Sequence, residues 1–494
     1  MLYSFNNNTR FKYSIYYFFI ALFICLICNY LIFSEYAFLD TYEFIYTSSR
    51  DPKVLDIFIE NGRPLLGLWC KWMYSSAMII SNLKFFRFFS LLLCVLFSTQ
   101  AFYFLIKKGL KVFESSLFSL LILALPCFSI YMAWTTVIQI PIVIVICFFA
   151  GQLLLKEFNN KKTLSIKVCV AFLLVFIAMF FYQSAITILI VPFVIQTIIT
   201  KDFKINIALK FIVFTAIIYI LYFIAFKLML INLDLSAASR TSPSFIEIPK
   251  KIIKFYLIEL RTLVANSGFL ILPYISLSVG LISFLGFFIK KLINKASFIF
   301  IGFLVFVLAY GYSPNILSGQ DYFSIRTIAT SSVLVLFFQF WFIRDLCIEG
   351  KLPKLIAFLI PLILLFFASH NQTNYLAGLQ IKEYSILKKE FLSIDISKTK
   401  KVQVIIPKHD FLQTNNYYPN GSTDEFGRLS SARDWAVKHL FCQLHWETLK
   451  SNNNTISISD PKNVIVIEDK DQSINEAIPI INLKDIFHES FKRD

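Results

Sequence analysis

The sequence predicts a polytopic α-helical membrane protein of about eleven transmembrane helices, followed by a small C-terminal α/β domain. Several apolar stretches reach or approach 18 residues with almost no charge. The chain has 494 residues with a mean hydropathy of +0.67, and 57% of them are hydrophobic. From residue 370 onward polar residues dominate instead. Because one helix needs about 20 apolar residues to cross a bilayer, several such stretches indicate several spans.

The first apolar stretch predicts a retained helix. It is too long for the apolar part of a signal peptide, and no A-x-A cleavage pattern follows it. The remaining spans follow from hydropathy, with ends uncertain by a few residues. The eleven predicted spans are 14–33, 85–106, 113–133, 137–155, 166–183, 185–200, 209–230, 268–289, 297–312, 327–343 and 355–369.

Lys and Arg residues predict the orientation, because they concentrate in alternate loops between these spans. Cytoplasmic loops carry such an excess, so the N-terminus is predicted to be cytoplasmic. An odd number of spans then places the C-terminal domain on the outer face. The formal net charge of +16 is therefore mainly a topology signal and does not indicate a nucleic-acid partner.

Two further helices are predicted to lie on the outer face without spanning. In segment 64–82 the residues Trp69, Trp72 and Tyr74 surround Lys71, a composition typical of the membrane interface. Counting this segment as a span would invert every later loop. Segment 244–264 mixes charged and bulky apolar residues and predicts a second interfacial helix.

The chain is thus divided into a transmembrane domain, 1–369, and a soluble domain, 370–494. The soluble domain has three strand-like runs, "KKVQVIIP", "NVIVIED" and "AIPIINL", with a helical stretch "SARDWAVKHLFCQLHWETLK" between the first two. Cys70 and Cys442 are expected on the same side of the membrane, and the sequence does not decide whether they pair. No cysteine or histidine spacing indicates a metal site.

An unusual number of carboxylates lies in the first outer loop, 34–63, which holds six acids and three cations. The cytoplasmic loops are short and contain no glycine-rich phosphate-binding motif. Any group-transfer chemistry is therefore expected on the outer face, where the membrane itself would have to carry the activated substrate.

Three short motifs carry a resemblance to a known family. They are "FLDTYEF…ENGRPLLGLW" in the first loop, "DYFSIRT" before a span, and "ASHNQTNYLAGLQIKEYSILKKEF" after the last span. Together with the architecture, they resemble the GT-C class of membrane glycosyltransferases, and within it the serotype-converting O-antigen glucosyltransferases. The resemblance implies transfer of glucose from undecaprenyl-phosphate-glucose to O-antigen repeat units of lipopolysaccharide. It also implies dependence on a donor synthase and a flippase, and a location in a bacterial inner membrane with the C-terminal domain in the periplasm.

In this class an acid of the first outer loop acts as general base, and Asp40 is the residue to which the resemblance carries that role. Asp40 lies shortly after the first helix, near the predicted headgroup plane, and Glu43 follows at i+3. Glycosyl transfer needs a carboxylate to accept the acceptor's hydroxyl proton and cations to stabilise the departing phosphate. The predicted phosphate ligands are Arg63, Arg326 and Lys227.

Acceptor recognition is predicted in the C-terminal domain, where aromatic faces and polar side chains occur together. The predicted residues are Tyr417, Tyr418, Trp435 and Lys484. The aromatic residues could equally form the core of a small domain. No cofactor is certain, although one or two loop carboxylates could hold a divalent cation.

Two other functions remain open. An O-antigen polymerase or ligase would use the same lipid-linked sugars, but such chains usually carry their large functional loop between two spans. A flippase or transporter for lipid-linked sugars would instead show ionisable groups deep in several spans, or broken helices in matching halves.

Overall fold

The structure is a computed structural model that describes residues 7–51, 53–159, 165–241, 245–319, 323–394, 401–415, 417, 425–451, 461–468 and 478–492. The described part is predominantly helical, with three short strands. Its helices are α1 Asn7–Cys28, α2 Thr41–Thr47, α3 Val54–Glu60, α4 Pro64–Ala77, α5 Leu83–Lys107, α6 Val112–Leu123, α7 Pro126–Ala133, α8 Gln139–Asn159, α9 Ile166–Met179, α10 Val191–Thr200, α11 Ile205–Asn232, α12 Ile248–Lys254, α13 Leu260–Ala265, α14 Pro273–Ile293, α15 Phe298–Leu317, α16 Ala329–Ile348, α17 Lys354–Asn371, α18 Ala377–Leu392, α19 Phe411–Thr414, α20 Asp434–Ser451 and α21 Leu483–Lys492. The strands are β1 Val402–Ile406, β2 Val464–Glu468 and β3 Ile480–Asn482.

Within the described residues, eight helices are long and apolar enough to cross a membrane, and nine if one bent pair counts as a span. The chain is therefore a polytopic helical membrane protein. Each of the eleven predicted spans overlaps a helix, but α9 and α17 fall outside the set of eight or nine. The α9 helix has 14 residues, about 21 Å at 1.5 Å per residue, whereas the bilayer core is about 30 Å thick.

The predicted span 113–133 is broken in the structure. Helices α6 and α7 meet at an angle of 59°, and Leu125 between them is extended, with ψ 140°. The cause is Pro126, because proline disfavours helical backbone in the preceding residue and supplies no N–H for the helix. The predicted span therefore corresponds to two helices, which count as one span only if the bent pair crosses the membrane as a unit. All eight residues of α7 are buried, so the bend directs this helix into the protein.

A second irregular segment precedes α10, where Gln183–Ile190 forms a 3₁₀ helix of eight residues. Such runs seldom exceed three or four residues, because their hydrogen-bond geometry is poor. The buried hydroxyl of Thr187 lies 2.8 Å from that of Thr330 and donates to the carbonyl of Gly311. These bonds tie the segment to α15 and α16.

Neither predicted interfacial segment forms a membrane-length helix. Segment 64–82 contains α4, whose 14 residues span about 21 Å, and Trp72 on it is 56% exposed. In segment 244–264, α12 and α13 are joined by a π-helical turn, Phe255–Glu259. The apolar side chains of Ile246 and Leu257 are 95% and 74% exposed, an arrangement typical of a membrane-contacting surface.

The C-terminal part forms a parallel three-stranded sheet in the order β2-β1-β3, in which Val404 of β1 pairs with Val466 and Ile481. All three predicted strand runs therefore contain a strand, and the predicted helical stretch contains α20. The predicted domain boundary at 369/370 lies inside a continuous helical segment, because α17 continues through a π-helical turn, Gln372–Leu376, into α18. One hydrophobic core extends from the membrane helices into this part.

The first loop, the segment before α16 and the C-terminal elements meet at one end of the helix bundle. Tyr384 and Lys388 of α18 bind Glu35 at 2.9 and 3.0 Å, and Ile80 donates its N–H to Glu447 of α20 at 3.0 Å. Ion pairs among the ends of α6, α14 and α16 lie at the other end. The predicted grouping of the first loop with the C-terminal part agrees with these contacts.

Candidate active site

The loop that carries Asp40 is fixed by a buried arginine from a membrane helix. Arg87 of α5 donates to the carbonyls of Ile32, Ser34 and Tyr36 at 2.7, 2.5 and 2.9 Å. Its guanidinium also lies 4.0 Å from the centre of the Tyr36 ring. A buried arginine with several carbonyl acceptors holds a chain segment firmly. Sequence reasoning missed Arg87, although its position as the first cation inside a predicted span was a usable signal.

The same loop packs against the break between α7 and α8. The Tyr36 hydroxyl donates to the carbonyl of Ala133 at 3.0 Å, and the Thr41 hydroxyl lies 2.9 Å from that of Thr136. The Tyr74 hydroxyl lies 2.6 Å from the same Thr136 oxygen. The break between α7 and α8 therefore provides the surface that receives Asp40.

Asp40 begins α2, and Trp134 contacts its carboxylate directly. The indole Nε1–H of Trp134 donates to Oδ1 of Asp40 at 3.1 Å. The residue before it, Leu39, has a φ of 44°, a conformation that L-residues adopt at an energetic cost. A carboxylate that follows a strained residue and accepts a buried indole N–H is held in a defined position.

Arg326 lies over the ring of the same indole. Its guanidinium carbon is 4.4 Å from the centre of the Trp134 ring, and its Nε is 3.8 Å from the carboxylate of Glu425. The Tyr131 hydroxyl donates to the Arg326 carbonyl at 2.6 Å. Trp134 thus contacts both the predicted base and one predicted phosphate ligand.

Glu43 lies one turn after Asp40 in α2 and is largely buried. Burial, and secondarily the nearby carboxylates of Asp40 and Asp434, raise the pKa of Glu43 to about 7. A carboxyl group that titrates near neutral pH suits a general acid or base. Among the residues that the structure describes, no group of three or more His, Cys, Asp and Glu side chains forms a metal site.

Arg63 belongs to a neighbouring cluster at the start of the 3₁₀ helix. Its Nε donates to Gln183 at 3.1 Å, and its guanidinium lies 4.4 Å from the centre of the Tyr182 ring. Gln183 and Tyr222 both donate to the carbonyl of Gly62. Gly62 has a φ of +70°, and a Cβ there would lie 2.2 Å from the Tyr222 hydroxyl, so this turn requires glycine.

Lys227, the third predicted phosphate ligand, lies on an exposed face of α11. Its ammonium is 5.5 Å from the centre of the Phe223 ring, one turn earlier on the same helix. It is five residues before the end of the helix, close enough for a lysine to reach the interface. The structure does not bring Lys227 into the cluster around Trp134.

The predicted acceptor residues are spread over the C-terminal part. Tyr417 bonds His488 at 2.8 Å and lines an open groove of about 470 Å³ with His370, Tyr375 and Lys382. Trp435 is half-buried on α20, and Lys484 is half-buried at the start of α21. Tyr418 lies outside the described residues. Cys70 and Cys442 are both buried, and no disulfide bond joins them.

Two residues of this site were not predicted, Trp134 and Glu425. Trp134 lies between two predicted spans, where an aromatic residue looked like an ordinary interface anchor. Glu425 is fully buried, and it accepts hydrogen bonds from the Ser324 hydroxyl and from the N–H of Ile325. The acid-rich "STDEFG" motif contains it, but its partners are about 100 residues away in sequence.

Comparisons of this chain with protein-family models, with curated proteins and with solved structures find no significant match.

Proposed function

We propose that this protein is a membrane glycosyltransferase that uses a polyprenyl-phosphate sugar. In this proposal it transfers glucose from undecaprenyl-phosphate-glucose to O-antigen repeat units at the periplasmic face of a bacterial inner membrane. A donor synthase and a flippase would supply the lipid-linked sugar. The observation that carries the proposal is the position of Trp134, which contacts Asp40 through its N–H and Arg326 through its ring.

This arrangement supplies the two groups that the reaction needs. Asp40 accepts the proton of the acceptor hydroxyl while that oxygen forms a bond to the anomeric carbon of the sugar. The bond between the anomeric carbon and the phosphate oxygen breaks, and the electron pair leaves with the lipid phosphate. Arg326 lies where it can stabilise the negative charge that develops on this phosphate. Glu43, with its pKa near 7, is the alternative proton acceptor.

The acceptor and the remaining donor contacts are assigned by position. Arg63 would bind the phosphate from the neighbouring cluster, while Lys227 would act only at the membrane interface. The groove beside Tyr417 offers aromatic faces on which a sugar ring can pack.

The test is chemical analysis of O-antigen from a bacterium that expresses this chain with a donor synthase and a flippase. Wild type is expected to add one hexose per repeat unit, seen by mass spectrometry of the purified polysaccharide. Asp40→Asn is expected to lower the addition ~100-fold or more, because general-base catalysis contributes 10²- to 10⁴-fold. Asp51→Asn, an exposed acid of the same loop, is the matched control and should retain activity.

The outcomes separate the alternatives. Unchanged addition in Asp40→Asn at equal protein level would move the base to Glu43. Absence of the hexose in wild type would contradict the transferase proposal, and a changed polysaccharide length would indicate a polymerase or ligase.

A flippase for lipid-linked sugars is the second candidate, and one observation favours it. The α6–α7 break and the 3₁₀ segment Gln183–Ile190 are irregular backbone inside apolar segments, and transporters often place their binding sites at such breaks. This function predicts that the chain exposes lipid-linked sugar on the outer leaflet without modifying the polysaccharide. A lectin assay on spheroplasts that lack the added flippase distinguishes the two functions.

A further inference from the structure

Residues 425–431 lie between the two halves of the proposed site and bond to both. At one end Glu425 contacts Arg326 and accepts the N–H of Ile325 at 3.4 Å. At the other end the Ser430 hydroxyl accepts the backbone N–H of Leu39 at 2.9 Å. Leu39 directly precedes Asp40. The segment therefore connects to the predicted base and to the predicted phosphate ligand.

The segment is held in turn by two buried side chains of α18. Glu383 is fully buried and accepts the N–H groups of Ser430 and Ser431 at 2.9 and 2.7 Å, as well as the Ser431 hydroxyl at 2.6 Å. Gln380 accepts the Ser430 hydroxyl at 2.6 Å and donates to the carbonyl of Arg428 at 2.8 Å. Burying a carboxylate is costly unless several donors bind it, so this network fixes the segment tightly.

The bond from Leu39 to Ser430 has a particular consequence for Asp40. Leu39 has a φ of 44°, and a leucine in that region persists only where surrounding contacts hold it. The contacts made by Arg87 and Tyr36 lie before Leu39, whereas the contacts of Asp40 with Trp134 and of Thr41 with Thr136 lie after it and are made by side chains. Ser430 therefore fixes the backbone at the residue adjacent to the proposed base.

We propose that segment 425–431 is a positioning element that sets the separation of Asp40 and Arg326, with Ser430, Glu383 and Glu425 as its positioning residues. This inference rests on the proposed function for its catalytic consequence. Its two ends act on different steps: Ser430 acts on the base through Leu39, and Glu425 acts on the phosphate ligand. The C-terminal part of the chain is then required for catalysis even before it contacts an acceptor.

The test separates the two ends by kinetics of the purified full-length protein with a short-chain polyprenyl-phosphate-glucose and an O-antigen repeat acceptor. Ser430→Ala is expected to lower kcat ~100-fold with little change in KM for the donor, because small misplacements of a reacting group cost about that factor. Glu425→Gln is expected to raise the donor KM ~10-fold, because the phosphate ligand loses its orienting partner.

Ser430→Thr keeps the hydroxyl and should restore most of kcat. Ser385→Ala is the matched control, because Ser385 is exposed and bonds only within its own helix turn.

A second measurement does not depend on activity. Hydrogen exchange of a peptide that covers residues 36–44 should become faster in Ser430→Ala and stay unchanged in Ser385→Ala. Unchanged exchange in Ser430→Ala, or an equal kcat, overturns the inference. An inactive wild type contradicts the proposed function instead. The hydrogen-exchange result alone then shows whether Ser430 holds the loop that carries Asp40.

Discussion

Two arginines at opposite ends of the bundle each lie over a tryptophan ring, but the tryptophans differ in their other contacts. Arg326 lies 4.4 Å from the centre of the Trp134 ring, and Arg344 lies 4.5 Å from that of Trp341. Their side chains are similarly exposed, 19% and 21%. Arg344 bonds Glu114 at 2.8 Å, and the Nε of Arg326 lies 3.8 Å from the carboxylate of Glu425. Of these two tryptophans, Trp134 also donates its indole N–H to an acid of the first loop, Asp40.

The carboxyl groups at the two ends have pKa values shifted in opposite directions. The Lys290 ammonium binds Glu349 and lowers its pKa, as expected for an ion pair at a helix end. Burial and two neighbouring carboxylates raise the pKa of Glu43 to about 7. The Arg344 end therefore pairs opposite charges and stabilises the fold. At the Arg326 end, burial and the neighbouring carboxylates of Asp40 and Asp434 disfavour the charged form of Glu43, and a pKa perturbed in this way is typical of functional sites.

The sharpest test of this comparison removes each arginine in turn. Arg326→Gln is expected to lower hexose transfer ~100- to 1000-fold, the usual effect of losing one group that stabilises developing charge. Arg344→Gln should lower thermal stability and retain most of the transfer per folded molecule. Both are measured as initial rates, normalised to monodisperse protein. Equal losses in the two variants would show that the Arg326 end has no special role.

Much of the fold was predictable, because long apolar stretches specify membrane helices regardless of their neighbours. Each predicted span overlaps a helix, and each predicted strand run contains a strand. The α6–α7 break was also readable in principle from Pro126. The length of each helix was harder to predict, because the predicted span 166–183 contains a helix, α9, of only 14 residues.

The site was only partly predictable. Asp40 and Arg326 could be proposed from their positions beside spans, but nothing local in sequence links them. Their common neighbour Trp134 is 94 residues from Asp40 and comes close only because the bend at Pro126 turns α7 inward. Ser430 is 391 residues from its partner Leu39. Contacts of this kind depend on tertiary packing, which the periodicity of a single sequence does not encode.

A smaller effect is expected from the indole N–H alone. Trp134→Phe keeps an aromatic face for Arg326 and removes the hydrogen bond to Asp40. A hydrogen bond to a charged group contributes about 1.5 kcal/mol or more, so transfer should fall ~10-fold with kcat affected more than KM. Trp341→Phe at the other end is the matched control and should leave the rate unchanged. If the two variants behave alike, the contact between Trp134 and Asp40 is not used in the reaction.

The smallest expected effect concerns stability and pH at Glu43. Its pKa is about 7 in the folded protein against a usual value of 4.5, so the folded state binds the extra proton between these pH values. Stability is therefore fully retained below pH 4.5, falls as the pH rises, and the loss is complete above about pH 7.

Glu43→Gln removes this penalty and should raise stability by about 1 kcal/mol at pH 8, after a discount for partial exposure. The apparent Tm of detergent-purified protein should accordingly exceed that of wild type at pH 8 and approach it at pH 4.5. Asp51→Asn provides the control, since that acid is exposed and its substitution should shift Tm equally at both pH values. A Glu43→Gln protein whose Tm advantage is the same at pH 4.5 and pH 8 would show that folding does not raise the pKa of Glu43.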